Sequence, residues 1–359
     1  MNRTALIFGG RSAEHDVSIL SARSVTNAAP KSRIAIIPIC IAKDGRFVAP
    51  QRSIEILAGA SSDAGDADFS FDSWWRAGNA DVAFPLIHGT GGEDGTLQGY
   101  LETLGAPYVG SGVAASAVGM DKGHMKHAFA TAKLPTVEYV LVLETEWRGE
   151  RDRVSRAVNN VMRLPYFVKP ANSGSSIGVT KVKSDADLDA AVAFALRFDD
   201  KILIERGVDA RELEVSVLGN DQPQASVPGE IVAGREFYDY EDKYIDHKST
   251  LIIPAKLAKE KIEELRRLAI AAFRAIGASG FARVDFFLEK GTNRVFVNEI
   301  NTIPGFTNIS MYPKLWEATE IKYSRLIEML IELGLERHRA RTARRDGALE
   351  WLSKARKIT

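Results

Sequence analysis

The stretch Gly280-Phe-Ala-Arg283-Val-Asp285-Phe-Phe-Leu-Glu-Lys-Gly-Thr-Asn-Arg-Val-Phe-Val-Asn298-Glu299-Ile-Asn301-Thr-Ile-Pro-Gly305-Phe-Thr307 decides the fold of this chain. Two runs rich in Phe and Val flank Lys290-Gly-Thr-Asn293, the pattern of a β-hairpin closed by a Gly-containing turn. With the loop centred on Thr292, Asp285 stands opposite Glu299 and Arg283 opposite Asn301, and alternation of side chains puts all four on one face. Like charges directly across a strand pair destabilise it unless something positive lies between them. A divalent cation would serve, because carboxylate and amide oxygens are hard ligands suited to Mg²⁺, which takes its remaining ligands from water and substrate phosphates. Arg283 alone, as a structural salt bridge, would serve as well. The spacing leaves both readings open.

Working outward, 359 residues are enough for two or three domains, and 45% hydrophobic with 26% charged residues is the balance of a soluble globular protein. Lys plus Arg equals Asp plus Glu at 47 each, so no global field favours nucleic acid or an acidic membrane surface, and any bound anion must be held locally. The amino terminus runs straight into a strand without a signal-peptide pattern, and no apolar run is long enough to span a membrane; a cytoplasmic protein is expected. The single cysteine, Cys40, sits in an apolar run and reads as a small buried hydrophobe.

Residues 4–8 form an apolar strand, Gly9 to Ser12 a turn, and Val17, Leu20 and Val25 one face of a helix. The turn lacks the fully spaced Gly pattern of a dinucleotide site, and no acidic residue ends a second strand near Cys40, which argues against a dehydrogenase. Asp16 complements the helix dipole, leaving Glu14 at the mouth of the turn as the functional candidate. A strand over 33–42 follows, then a further strand from Asp81 to His88 that runs into Gly89-Thr-Gly-Gly-Glu-Asp-Gly95, a loop in which ligand can approach the backbone closely. His88 ends that strand, a position that ligands favour and that structural histidines also occupy. A helix over 96–104 and a short strand near Tyr108 complete an α/β first domain.

Met120-Asp-Lys122 opens a helix at a domain junction, and Tyr166-Phe-Val-Lys169-Pro-Ala-Asn-Ser-Gly-Ser175-Ser176-Ile-Gly178 reads as strand, Gly/Ser loop, strand. Its amides and hydroxyls can fold over phosphate oxygens, and Lys169, in a strand expected to be buried, needs an anionic partner. Glu205 ends the strand 201–205; Glu212 and Glu214 lie in the next, over 211–218, as ligands or as outward-facing acids. Phe237-Tyr-Asp-Tyr-Glu-Asp-Lys243-Tyr244 mixes rings with acids in a way that suits neither core strand nor surface loop, and reads with the following polar run as a lid over 237–250. A helix spans 258–277, a last amphipathic helix runs from Tyr323 to about Arg337, and a basic solvated tail follows.

Taken in order, six blocks make the chain resemble the ATP-grasp superfamily and, more narrowly, the D-alanine:D-alanine ligases. They are Gly-Gly-Arg-Ser-Ala-Glu-His-Asp-Val-Ser, His-Gly-Thr-Gly-Gly-Glu-Asp-Gly-Thr-Leu-Gln-Gly, Met-Asp-Lys, Val-Lys-Pro-Ala-Asn-Ser-Gly-Ser-Ser-Ile-Gly, the aromatic lid, and Arg-Val-Asp with Asn-Glu-Ile-Asn-Thr-Ile-Pro-Gly-Phe-Thr. The resemblance spans residues 4–337 and implies an α/β fold with α+β elements in a three-domain ATP-grasp architecture: an N-terminal parallel-sheet substrate domain at 1–121, a central ATP-grasp domain at 122–212 and a C-terminal catalytic ATP-grasp domain at 213–338, with 339–359 as a basic extension. ATP would lie between the last two. The resemblance further implies that Lys122 and Lys169 hold phosphates, Glu205 and Glu212 the adenine and ribose, Phe237 the purine face and Lys243 the γ-phosphate, with Ser176 and Asn298 also at the nucleotide. Asp285, Glu299 and Asn301 match the family's ligands for two Mg²⁺ or Mn²⁺ ions. Glu14, linked to Ser175 and Tyr244, would hold the first D-alanine ammonium; Arg283 and the Gly305 amide would stabilise the oxyanion; Ser310 would hold the second carboxylate, with His88 and Met311 also lining the substrate site. A homodimer is implied too.

Within this resemblance the acceptor is D-alanine, with D-lactate or D-serine as the rival acceptor and a non-catalytic nucleotide binder as the rival class. Departures from the family pattern are Asp16 in place of Glu, Glu320 in place of Gly, and the basic tail.

Overall fold

The computed structural model describes residues 1–232 and 250–355. The expected Phe237, Lys243 and Tyr244, and all of the lid but Thr250, lie outside the described residues.

The chain begins with alternating strands and helices: β1 (Asn2–Gly9), α1 (His15–Ala28), β2 (Ile34–Ile41), α2 (Pro50–Ala58), α3 (Phe71–Arg76), β3 (Val82–Pro85), α4 (Thr96–Thr103) and α5 (Val113–Met120). β2, β1 and β3 lie side by side in that order, all parallel, and Tyr108 adds one parallel bridge to Ala83. Parallel strands covered on both faces need near-continuous apolar runs. Ala5 to Phe8, Ile39, Cys40 and Val82 to Phe84 supply them, all fully buried. Burial pushes the Cys40 thiol up to about 12, so it is the inert buried side chain expected.

Helix α1 departs from the apolar-face expectation: Leu20 is half exposed, and the buried face is His15, Ser18, Ser21, Ala22 and Val25. Small hydroxyl side chains let the helix approach the strand ends. Ser18 Oγ donates to the Leu86 carbonyl at 2.7 Å and accepts from the Gly9 amide at 2.8 Å, so no buried polar group is left unpaired there.

A second unit comprises α6 (Lys122–Thr131), β4 (Tyr139–Leu143), α7 (Glu144–Val161), β5 (Tyr166–Pro170), β6 (Thr180–Val182), α8 (Leu188–Ala195) and β7 (Lys201–Arg206). Asp121 starts α6 by accepting from the His124 amide at 2.9 Å, an N-cap that satisfies an otherwise orphaned donor. The antiparallel sheet runs β4-β7-β5-β6. Tyr166, Val168, Val142, Ile202 and Ile204 pack under α7 and α8. The intervening residues of the same strands, Phe167, Lys169, Tyr139 and Glu205, therefore point the other way.

The third unit holds β8 (Ala210–Gly219), β9 (Gln224–Ala225), β10 (Gly229–Val232), β11 (Thr250–Ile252), α9 (Lys259–Ala275), β12 (Gly280–Glu289), β13 (Val295–Asn301), α10 (Met311–Glu317) and α11 (Tyr323–Ala355). Its antiparallel sheet runs β11-β10-β8-β12-β13, with β9 beside β8. Leu213, Val215, Val217, Val284 and Phe286 pack against Leu265, Leu268 and Phe273 of α9, which leaves Glu214, Arg283 and Asp285 on the opposite face.

The hairpin holds the expected pairs Arg283↔Asn301 and Asp285↔Glu299, but nearer the turn the register is Phe286↔Val297 and Leu288↔Val295. Asn298 is the extra residue of a β-bulge. Without it Asp285 would face Asn298, and Glu299 would point to the α9 side; the bulge re-aims Glu299 onto the carboxylate face.

Helix α11 returns to the start of the chain. Leu326, Ile327, Leu330 and Ile331 share one core with Leu6, Phe8, Phe84, Phe281, Phe306 and Tyr312. The helix was expected to stop near Arg337 and instead continues to Ala355. Beyond Arg337 the Ala, Arg, Leu and Glu residues are good helix formers, no Pro interrupts, and the one Gly there, Gly347, is tolerated. Arg337 stacks 4.1 Å from the Tyr108 ring centroid and Arg341 pairs with Glu102, so the basic run is helical and tied to the first unit. Glu320, where the resemblance leads one to expect Gly, has φ of 69°, the left-handed region that Gly enters without steric cost. Among the described residues no helix is long and apolar enough to cross a membrane.

Candidate active site

Three loops converge on Glu14. Its carboxylate is buried and accepts from Ser175 Oγ, which reaches over from the Gly/Ser loop between β5 and β6. Ser175 and Ser176 have φ of 49° and 60°, a left-handed pair in non-glycine residues, conformations that persist where surroundings over-determine them. A Cβ on Gly89 would lie 2.7 Å from Glu14 Oε2 and one on Gly174 3.0 Å from it, so both Gly loops close directly on the carboxylate. Ser12 Oγ donates to the His88 carbonyl at 2.7 Å and accepts from the Glu14 amide at 3.1 Å, fixing the turn.

His88 is buried with both ring nitrogens engaged, Nε2 by Ser21 Oγ at 2.9 Å and Nδ1 by the Ile303 carbonyl at 3.0 Å. Burial lowers its pKa against the opposing charge of Glu14, which suits a neutral ring donating from Nδ1 and accepting at Nε2. It thereby clasps the Gly-rich loop after β3 to the loop that carries Pro304 and Gly305. Glu93 adds a second clasp, accepting from the amides of Gly89 at 2.9 Å and Ile303 at 3.2 Å. Burial, then the nearby Glu14 charge, pushes the Glu93 carboxyl up to about 8. A carboxyl whose pKa is raised by folding contributes stability that is complete below the ordinary carboxylate range and lost as pH rises through about 8. The melting temperature should therefore fall between pH 5 and about 9, and Glu93→Gln should flatten that fall. Parallel melting curves for both proteins would expose the idea as wrong.

On the third sheet, Glu214, Asp285 and Glu299 stand in one row across β8, β12 and β13, with Arg283 and Asn301 in the next row. Arg283 Nε and Nη2 each donate to Asp285 at 2.7 Å, and Nε lies 3.0 Å from Glu214. Burial alone would lower the guanidinium pKa, but Asp285 and Glu214 outweigh it and keep the group firmly charged. Asn301 Nδ2 donates to Asp285 at 3.0 Å. Lys122 reaches from α6 to within 3.6 Å of Glu299 while donating to the Ser173 carbonyl at 2.6 Å. Among the described residues no group of three or more His, Cys, Asp and Glu side chains comes together as a metal site. Asp285, Glu299 and Asn301 nonetheless offer hard oxygens on one face, and Asn298 Oδ1 is buried with no hydrogen-bond partner among the described residues, so the donor set fits a divalent cation.

Opposite lies the free face of the second sheet. Glu205 is buried and pairs with both Lys169 and Lys126. Burial alone would raise its carboxyl, but the two ammonium groups hold it below the ordinary range. Glu212 lies on β8 opposite Phe287. Ser310 Oγ accepts from the Thr307 amide at 3.1 Å, and a Cβ on Gly305 would come 3.3 Å from that oxygen. Met311 is buried in an apolar cluster with Ile231 and Leu315.

Two residues escaped the sequence reading of the site: Glu93 was visible only as an acid inside a Gly-rich loop and Lys126 only as a second lysine four residues after Lys122, while Glu214 had been left open between ligand and outward-facing acid. Local spacing does not say which remote carboxylate or amide each one meets.

A parallel-sheet unit followed by two antiparallel sheets, with Lys122 of the second unit reaching Glu299 of the third, defines an ATP-grasp architecture. Family models described as D-ala D-ala ligase N-terminus and C-terminus match residues 3–111 and 128–332, and the chain belongs to the D-alanine–D-alanine ligase family. It is 46% identical to the D-alanine–D-alanine ligase of Heliobacterium modesticaldum over 347 residues, covering 93% of this chain and 95% of the relative. It is 48% identical to that of Halothermothrix orenii over 338 residues, covering 93% and 98%. Among solved structures, the D-alanine–D-alanine ligase from Coxiella burnetii superposes with a TM-score of 0.77 at 33% identity, covering 100% of both chains. The VanG D-Ala:D-Ser ligase from Enterococcus faecalis superposes with 0.81 at 30% identity, covering 93% of this chain and 99% of that one. The chain is thus an enzyme, a ligase of that family.

Proposed function

We propose that the ligation runs through an acyl phosphate formed between the two antiparallel sheets. A carboxylate is a poor acylating agent; transfer of the γ-phosphoryl group of ATP to the first D-alanine makes its carbonyl electrophilic and releases ADP. The amine of the second D-alanine attacks that carbonyl and loses its proton, the C–O bond to phosphate breaks, and phosphate leaves. The observation that carries this reading is the carboxylate row Glu214, Asp285 and Glu299 beside Arg283, with Lys122 reaching into it from α6. Asp285, Glu299 and Asn301 would hold two Mg²⁺ or Mn²⁺ ions, which when bound offset charge on the phosphates.

Lys122 and Lys169 hold the phosphates with Ser176 and Lys243, while Glu205, Glu212, Asn298 and Phe237 receive the nucleoside. Glu14, oriented by Ser175 and Tyr244, takes the ammonium of the first D-alanine. Arg283 and the Gly305 amide face the developing oxyanion, and Ser310 takes the second carboxylate, with His88 and Met311 behind the substrate. Water must be excluded because acyl phosphates hydrolyse. On this reading the domains are 1–121, 122–212 and 213–338 with the extension 339–359, the chain works as a homodimer in the cytoplasm, and D-alanine is the acceptor.

The acceptor matters because one structural relative is named for D-serine. Phosphate release from ATP and Mg²⁺ should appear with D-alanine alone, and mass analysis should find the dipeptide of two D-alanines even when D-serine or D-lactate is added. A mixed product in preference would transfer the assignment to the rival ligases. No D-alanine-dependent release would leave only a nucleotide binder.

A further inference from the structure

Lys126 has no part in the reading above, yet it is the most deeply buried cation of the nucleotide face. Its side chain is 0% exposed and its ammonium meets Glu205 Oε1, while Lys169, 11% exposed, meets Oε2 of the same carboxylate. The Tyr139 ring, 5.4 Å away, flanks the Lys126 ammonium. Tyr139 and Phe167 are the cross-strand neighbours of Glu205, so the carboxylate is set between two rings on the free face of the sheet. With a cation on each oxygen, an incoming amino group would have to share an oxygen with an ammonium.

The two lysines differ in where they can go. Lys169 stands on a strand at the partly open side of the face, and a triphosphate would compete for it. Lys126 is enclosed, and among the described residues its ion pair is with Glu205, with Glu299 a weaker charge acting on it from further off. We propose that Lys126 is the permanent counter-ion of Glu205 and Lys169 the exchangeable one. Binding of a nucleoside triphosphate draws Lys169 off Oε2 onto the phosphates, and the freed oxygen accepts the exocyclic amino group of adenine. Lys126 keeps the buried carboxylate ionised and oriented during that exchange; without it, loss of Lys169 would leave a carboxylate only 3% exposed with no cation. Lys126 is therefore a positioning residue that acts through Glu205, and the inference rests on Glu205 being the adenine acceptor.

The test compares Lys126→Met, Lys126→Arg, Glu205→Gln and the double variant Lys126→Met/Glu205→Gln, by steady-state kinetics with ATP and with GTP, whose carbonyl at the corresponding position would face the carboxylate. Lys126→Met should raise KM for ATP roughly 10-fold or more, the scale for a lost charge-assisted hydrogen bond, and shrink the preference for ATP over GTP. Its kcat at saturating ATP should stay within about 3-fold, since the residue touches neither phosphate nor D-alanine. Lys126→Arg should recover part of the KM. The double variant should be no worse than Glu205→Gln alone, and because it removes both buried charges it carries the test if Lys126→Met folds poorly. A folded Lys126→Met with unchanged KM and nucleotide preference, beside an impaired Glu205→Gln, would overturn the positioning role alone. Additive losses in the double variant would overturn it too. An unaffected Glu205→Gln would instead remove the adenine assignment beneath it.

Discussion

Arg283→Ala is expected to lower kcat by roughly 10²-fold or more, the scale on which an oxyanion donor is lost. The guanidinium is buried, fully charged, and held by two hydrogen bonds of 2.7 Å to Asp285 with Glu214 at 3.0 Å. That bracing aims a cation at a fixed point and spares the reorganisation that a solvated arginine would need. The same bracing means that the alanine variant leaves neighbouring buried carboxylates short of a cation, and removing one partner of a buried pair costs about 3–5 kcal/mol. Activity must therefore be read on protein shown by its melting curve to be folded, and Mg²⁺ and ATP should be saturating. Arg283→Lys restores the charge without the planar fork and should recover stability more fully than kcat. Turnover near wild type in folded Arg283→Ala would sink the oxyanion assignment and return Arg283 to a neutralising salt bridge.

Glu14→Gln is expected to reduce kcat/KM for D-alanine by roughly 10²-fold, corresponding to about 3 kcal/mol for a desolvated carboxylate–ammonium contact. Gln has the same shape and keeps an oxygen to accept from Ser175, so the Gly89 and Gly174 loops need not move. What disappears is the charge. The loss should fall on the D-alanine dependence of phosphate release, leaving KM for ATP within about 3-fold, because Glu14 lies on the first unit and the nucleotide face on the second. An unchanged D-alanine profile would show that the ammonium is bound elsewhere.

The two predictions draw on residues that were legible to different degrees. Arg283, Asp285, Glu299 and Asn301 could be put on one face from the hairpin pattern, because alternation in a strand follows from backbone geometry and needs no knowledge of neighbours. Their register came out as expected for a reason the sequence did not reveal: the pairs nearer the turn are shifted, and the bulge at Asn298 restores the alignment. Glu14 was legible from its place at a Gly turn, but its bond to Ser175, 161 residues away, depends on how the first and second units meet. Helix α1 shows the opposite failure. Apolar periodicity favoured Leu20, whereas packing chose Ser18 and Ser21, whose hydroxyls are satisfied by strand ends.

By itself, then, the sequence determined the strands, the Gly loops, the hairpin with its charged face, and, through six ordered blocks, the family. These depend on local period, turn chemistry and residue type, all properties of contiguous chain. Tertiary structure alone decided that Glu214 joins Asp285 and Glu299 in a single row, that Glu93 clasps Gly89 to Ile303, and that Lys126 meets Glu205. Each of these is a contact between segments whose adjacency follows from strand order and sheet packing, and the free energy of burying such charges depends on the partner across the gap. The hairpin at 280–307 was readable because both its strands are neighbours in sequence; the carboxylate row became complete only when β8 was laid against β12.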